Sequence, residues 1–350
     1  MDQPPVDNTT EFEVHPQLMV DKDGEKLVAI VKATFELQPD GRGGGVLELA
    51  DELRRRVIRP ADVPWGKPEI SSIMFPADLC LRKPGTDVIV VGRAHAPEGE
   101  PVSAFDVAVQ VGALRKLLRV FGLRVWEAGG AGLTPPAAIA EIELRYDFAW
   151  GGSDASDPLQ FVEDPRNPVG RGVVRDHSAL THQPAPNIED PAHLISSVRT
   201  KPPPAGVGPI GRHWMPRRQF VGTYDDKWLD ERAPLTPLDQ DDRVNLCASP
   251  DLSTAFPLRG DEEVRLLNLV RGGGATHFVL PNVGVELTFK HKDRAPEVIV
   301  PHLDTILIDT FDEEPGEPLA VELVWRASVK APRRAKDCIV VVHEREMAKR

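Results

Sequence analysis

The sequence predicts a mainly β protein, with antiparallel sheets arranged as a sandwich or as two β lobes and a long, largely irregular insert rich in proline and glycine. Three observations carry this. The 350 residues include 34 prolines and 28 glycines, a density that opposes helices by removing backbone hydrogen bonds and raising chain entropy. Apolar residues recur with a period of two rather than 3.6. Few intervals between the apolar runs have room for a crossover helix, which favours antiparallel meanders over β-α-β units.

The elements follow in order. Residues 27–37 are β-branched and apolar, and Pro39-Asp40-Gly41 with Gly43, Gly44 and Gly45 supplies a turn before 46–49, an N-terminal hairpin. Strands are expected at 87–95, 105–111 and 114–121. The clearest alternation is 141–148, where Ile142, Leu144, Tyr146 and Phe148 interleave with Glu141, Glu143, Arg145 and Asp147. Beyond Phe148 the periodicity stops and prolines crowd in, among them Pro158, Pro165, Pro168, Pro184, Pro186 and Pro191. Trp150, Trp214, Phe220, Tyr224 and Trp228 fall in the same stretch, and rings of that size need burial or a partner. This stretch reads as an ordered excursion over the sheets, with a short helix near 241–248. Strands resume at 263–270, 285–289, 303–310, 319–329 and 338–343. In domain terms, residues 1–330 form a single domain, in which residues 1–148 are β-rich, residues 149–260 are a Pro-rich structured loop region and residues 261–330 are again β-rich. A basic strand or tail, 331–350, follows.

A formal net charge of -12 opposes a polyphosphate backbone, so nucleic acid is not an expected partner. Short basic clusters at Arg54, Arg55 and Arg56, at Arg217 and Arg218, and at Arg333, Arg334 and Lys336 read first as solvated faces. The cysteines Cys80, Cys247 and Cys338 are odd in number, far apart and without C-x-x-C spacing, which suits a reducing compartment. No apolar run approaches the roughly 20 residues that span a bilayer, and no secretory leader is evident. The expectation is a cytoplasmic protein with no membrane partner.

Catalytic patterns are sparse. The sequence contains no G-x-S-x-G elbow, no P-loop and no dinucleotide-binding glycine motif. His177, His182 and His193 lie near Asp176, Glu189 and Asp190, but the intervening prolines forbid the continuous helix a zinc pair would use, so no metal and no cofactor is expected. The glycine runs at 43–45 and 272–274 read as hairpin turns before they read as anion cradles. Asp225, Asp226, Asp304 and Asp309 are the carboxylates an acid–base pair would draw on; Asp225 and Asp226, following Gly222-Thr223-Tyr224, equally suit an Asx turn.

One ordered series of motifs is more specific. It runs Asn167-Pro168-Val169-Gly170-Arg171-Gly172, Pro186-Asn187-Ile188-Glu189-Asp190-Pro191, Gly208-Pro209-Ile210, Trp214-Met215-Pro216-Arg217 and Gly222-Thr223-Tyr224-Asp225-Asp226-Lys227-Trp228. Flanking it are Lys83-Pro84-Gly85-Thr86-Asp87, Gly122-x-Arg124-x-Trp126, Trp150-Gly151-Gly152 and Gly260-Asp261-Glu262-Glu263. In this order the chain resembles the bacterial family catalogued as domain of unknown function 2169, with Trp150 standing where a Phe would be expected. The resemblance implies an adaptor or chaperone of the type VI secretion system, not an enzyme. Such a protein binds an effector in the producing cell through a PAAR-type region and assists its loading onto the spike protein, which it engages indirectly.

Physical chemistry offers a matching surface. Trp214, Arg217, Tyr224, Asp225 and Trp228 are the candidate partner-binding residues, because rigid rings and planar guanidinium groups dominate interface energetics. Asn187 and Glu189 suit turn capping instead. The alternatives are a carbohydrate-active hydrolase using Asp225, Asp226 and Asp304, and a structural subunit of the secretion apparatus.

Overall fold

A computed structural model describes residues 3–128, 132–157, 159–311 and 316–346; Pro158 and residues 347–350 of the C-terminal tail lie outside them. The chain is mainly β, with several antiparallel sheets and, among the described residues, no barrel. The largest sheet is seven-stranded. From one edge it runs Ser253–Thr254, Thr86–Val91, Leu303–Asp309, Ala320–Lys330, Gly24–Pro39 and Glu13–Asp21, with Gly45–Leu49 also paired to Gly24–Pro39. Thr86–Val91 and Leu303–Asp309 are parallel; their neighbours are antiparallel. A five-stranded sheet orders Ile188–Glu189, Leu114–Phe121, Ala104–Val111, Glu263–Leu267 and Ala275–Val279, and a four-stranded sheet orders Val6–Asn8, Cys338–Glu346, Val283–His291 and Glu297–Ile299.

Gly24–Pro39 organises the large sheet. Its distal half forms the expected hairpin, with Phe35 opposite Leu49 and Pro39 opposite Gly45. Asp40 Oδ1 closes the turn by accepting from the Arg42 and Gly44 amides at 2.7 and 3.0 Å. Its proximal half pairs with Glu13–Asp21, a strand whose apolar pattern is interrupted by Pro16 and which the sequence did not announce.

Successive residues of a strand point to opposite faces. On Gly24–Pro39, Leu27, Ala29, Val31, Ala33, Phe35 and Leu37 enter a core shared with Val107 and Val109 of the five-stranded sheet and Leu287 and Phe289 of the four-stranded one. The opposite face begins apolar, with Val28 and Ile30, and then turns polar at Lys32, Thr34 and Glu36, yet all five are buried. The cover is the segment 50–83, whose Ile58, Leu79 and Leu81 pack on Val28, Ile30 and Val324.

Beneath this strap lies a chain of ion pairs. Lys32 Nζ is 2.5 Å from Asp78 and 2.9 Å from Glu322 and donates to the Val57 carbonyl at 3.1 Å. Arg59 grips Glu322 with both terminal nitrogens, at 2.9 and 2.5 Å. A bulge between Leu303 and Thr305 accompanies the pairing of Asp304 with Arg326. Lys83 and Asp87, four residues apart, pair at 2.7 Å. Burial pushes the Asp78 carboxyl up, but Lys32 and Arg59 outweigh it and hold the group below its usual value. At Lys83 burial works against the ammonium, and Asp87 overcomes this and keeps the proton on. Charges removed from water cost several kcal/mol unless paired, so strap and sheet specify one another.

Several expected elements are changed. The 141–148 strand stops after Glu141–Glu143, which pairs with Arg93–His95. Phe148 N donates to Arg145 O at 3.1 Å to close a 3-10 turn over Tyr146–Phe148. Arg145 braces that turn by bonding Glu143 at 3.2 Å and Asp147 at 2.9 Å, so the alternating pattern records which side chains are buried, not strand pairing. The 87–95 strand divides at Gly92, where a Cβ would lie 1.9 Å from Thr310 Oγ1. The helix expected near 241–248 is a 3-10 turn, Asp242–Asn245, and the α-helix is Asp226–Glu231. No helix among the described residues is long and apolar enough to cross a membrane.

Candidate functional site

Most motif residues between 120 and 217 hold the chain to itself. Arg124 pairs with Glu189 while bonding the Pro186 carbonyl at 2.8 Å, and Glu189 Oε2 accepts the Ile195 amide at 2.7 Å. Burial raises the Glu189 carboxyl, with Arg124 opposing. Asn187 donates to the Phe121 carbonyl at 3.0 Å, and the wholly buried Asn167 donates to the carbonyls of Tyr146 and Trp150, both at 2.9 Å. Trp126 and Trp150 are interior.

Two of the candidate partner-binding residues are likewise engaged internally. Trp214 is only 1 % exposed; its ring meets Tyr146 edge-on at 5.7 Å and its Nε1 donates to His213 Nε2 at 3.0 Å. It is therefore not an exposed anchor, because the close approach of Gly211 and Tyr146 seals it in. Arg217 is half-buried and donates to the carbonyls of Val244 and Ile210 at 3.0 and 2.6 Å. Its guanidinium fastens two loops instead of facing a partner.

Tyr224, Asp225 and Trp228 come together on the surface. Asp225 caps the helix Asp226–Glu231, accepting the Trp228 amide at 2.8 Å; its carboxylate is a cap, as an Asx turn predicted, not a free ligand. The Tyr224 and Trp228 rings meet at 4.6 Å, and Trp228 Nε1 donates to the Leu235 carbonyl at 2.8 Å. At the far end Arg232 reaches the Lys22 carbonyl at 2.8 Å, in the turn before Gly24–Pro39. On the near side Thr223 donates to Asp239 through its amide at 3.0 Å and its hydroxyl at 2.7 Å. The Thr223 amide bond is the main reason the Asp239 carboxyl sits below its ordinary value. This clamped turn of helix leaves Tyr224 53 % and Leu229 61 % exposed. The same short stretch exposes Asp225, Asp226, Asp230 and Glu231, against Lys227 alone of opposite sign within the helix.

The carboxylates proposed for hydrolysis are not gathered. Asp304 is buried and paired with Arg326, whereas Asp225 and Asp226 sit on the exposed helix. His193 bonds Asp190 at 2.9 Å on the surface, and no cluster of three metal-ligating side chains occurs among the described residues. Arg54, Arg55 and Arg56 pair with Glu36, Glu11 and Asp309 at 2.8, 3.3 and 3.4 Å, which ties down one end of the strap. Sequence reasoning missed the Leu229 contribution and the helix itself. The signal present was Asp225 three residues before Trp228, an N-cap spacing.

No curated protein and no solved structure matches this chain. Residues 22–326 match the family described as DUF2169, uncharacterized protein conserved in bacteria, and with most of its length inside that match the chain belongs to this bacterial family.

Proposed function

We propose that the chain is a protein-binding adaptor that holds a type VI secretion effector, through a PAAR-type region, in the cytoplasm of the producing cell and assists its loading onto the spike. The observation that carries this reading is the Tyr224–Trp228 ring pair on a capped helix that also exposes Leu229 and several carboxylates. A ring pair fixed by a helix cap and an indole hydrogen bond loses little side-chain freedom on binding, which is the property that makes such residues interface anchors. The exposed carboxylates of this helix favour a client segment carrying lysine or arginine and speed its encounter.

The test is co-purification with the effector encoded beside this gene. Tyr224→Ala with Leu229→Asp is expected to weaken capture roughly 30-fold or more, the scale of losing an interface hot spot. Normal secretion of every effector from a deletion strain would refute the adaptor role.

A further inference from the structure

A recess lined by no residue of the helix Asp226–Glu231 lies elsewhere on the chain. The strap carries a small hairpin, Val63–Pro64 against Ile73–Phe75. Its tip is built rigidly: Ser71 Oγ accepts the Gly66 amide at 3.0 Å and donates to the Lys67 carbonyl at 2.8 Å. Within the tip Glu69 is held at φ 70°, a left-handed conformation unusual for a residue with a side chain. Between this hairpin and the loop Gly211–Trp214 is a cavity of about 210 Å³. Pro64, Pro68, Ile73, Val169 and Trp214 are its apolar lining residues.

The charges at the cavity are divided. Asp62 and Glu69 stand on the hairpin side, Arg212 and His213 on the loop side. Asp62 uses Oδ1 to accept the Ala77 amide at 2.7 Å, which leaves Oδ2 for another donor. His213 Nε2 accepts the Trp214 indole N–H at 3.0 Å. Two carboxylates thus face one guanidinium, that of Arg212, and the apolar volume suits a single aliphatic side chain.

We infer that this cavity seats an aliphatic side chain of the client polypeptide, flanked by lysine or arginine whose head groups meet Asp62 and Glu69. The inference rests on the adaptor reading and adds to it a second contact with a defined chemistry. Trp214 then contributes from within, as the wall of a seat, although it is no exposed anchor.

The test uses the full-length protein and fluorescence polarisation with labelled peptides Gly-Lys-Leu-Lys-Gly, Gly-Lys-Ser-Lys-Gly and Gly-Glu-Leu-Glu-Gly. The lysine–leucine peptide is expected to bind, and the serine version to bind roughly tenfold more weakly for lack of an aliphatic group. Asp62→Asn with Glu69→Gln keeps the acceptor for Ala77 and removes both charges; Pro68→Trp fills the cavity from its exposed rim. Both variants are expected to melt as the parent does and to lose binding of the lysine–leucine peptide. Equal binding of all three peptides, tighter binding of the glutamate peptide, or unchanged binding by either variant overturns the inference. Effector capture by the parent protein is scored separately: capture that survives both variants refutes the cavity alone, whereas absence of capture by the parent refutes the adaptor reading.

Discussion

Replacing Glu322 by Gln tests the ionic layer beneath the strap. The Glu322 side chain is fully buried and accepts from Arg59 at 2.9 and 2.5 Å and from Lys32 at 2.9 Å. Two cations and two carboxylates, Glu322 and Asp78, currently balance; the amide leaves one buried positive charge uncompensated. Breaking a buried pair in this way costs about 3–5 kcal/mol, a large share of the roughly 5–15 kcal/mol that separates folded from unfolded chains. Urea unfolding monitored by tryptophan fluorescence reads the loss, with Trp325, buried in the core on the opposite face of the same strand, as an internal reporter. Adding Lys32→Met removes the surplus charge and leaves Arg59 with Asp78. The double variant is therefore expected to recover about 1 kcal/mol or more relative to the summed single losses. A Glu322→Gln cost under about 1 kcal/mol, or strictly additive losses, would show that the layer does not hold the strap.

Two more perturbations follow from the same geometry. Burial raises the Asp309 carboxyl to about 6, against the opposing pull of the Phe311 amide and Arg56. The folded chain thus binds this proton more tightly than the unfolded one: Asp309 favours folding below about pH 4, and that contribution disappears as pH rises to about 6. Asp309→Asn, which keeps the acceptor for the Phe311 amide, should gain about 1–3 kcal/mol at pH 7 and almost nothing at pH 4; equal gains at both, from paired urea titrations, would discard this account. At Gly85 a Cβ would stand 1.6 Å from the Thr254 carbonyl. Gly85→Ala should therefore force Ser253–Thr254 off the sheet edge and cost about 3 kcal/mol, visible as a lower melting temperature and faster amide exchange at those residues.

The legible regions of this fold are those where backbone pairing and side-chain burial share one period. The 105–111 and 114–121 strands emerge as Ala104–Val111 and Leu114–Phe121 because Phe105, Val107, Val109 and Val111, and Leu118 and Val120, are buried while the residues between them are not. Residues 141–148 show the limit, since the burial alternation continues into a turn whose backbone bonds are local. The ionic face was illegible for a different reason. Lys32, Glu322, Asp78 and Arg59 are scattered through the chain, and charge alone reads as solvent-facing until the cover is in place. At the candidate site, the Asx reading of Asp225 matched its cap, but burial of Trp214 depended on Tyr146, far away in sequence. Ring size signalled that a partner was needed and could not say whether the partner was internal.

The four-stranded sheet carries an implication for synthesis. Its Val6–Asn8 strand runs parallel to Cys338–Glu346, and Thr9 reaches His343 across 334 residues of chain. The segment made first must therefore wait, unpaired, until some 334 further residues have been synthesised. During that interval the nascent polypeptide presents an open sheet border, a natural point for a folding helper to engage. Shortening the protein by the Cys338–Glu346 strand would strip the pairing from both Val6–Asn8 and Val283–His291, so ragged proteolysis there loosens two distant stretches in a single cut.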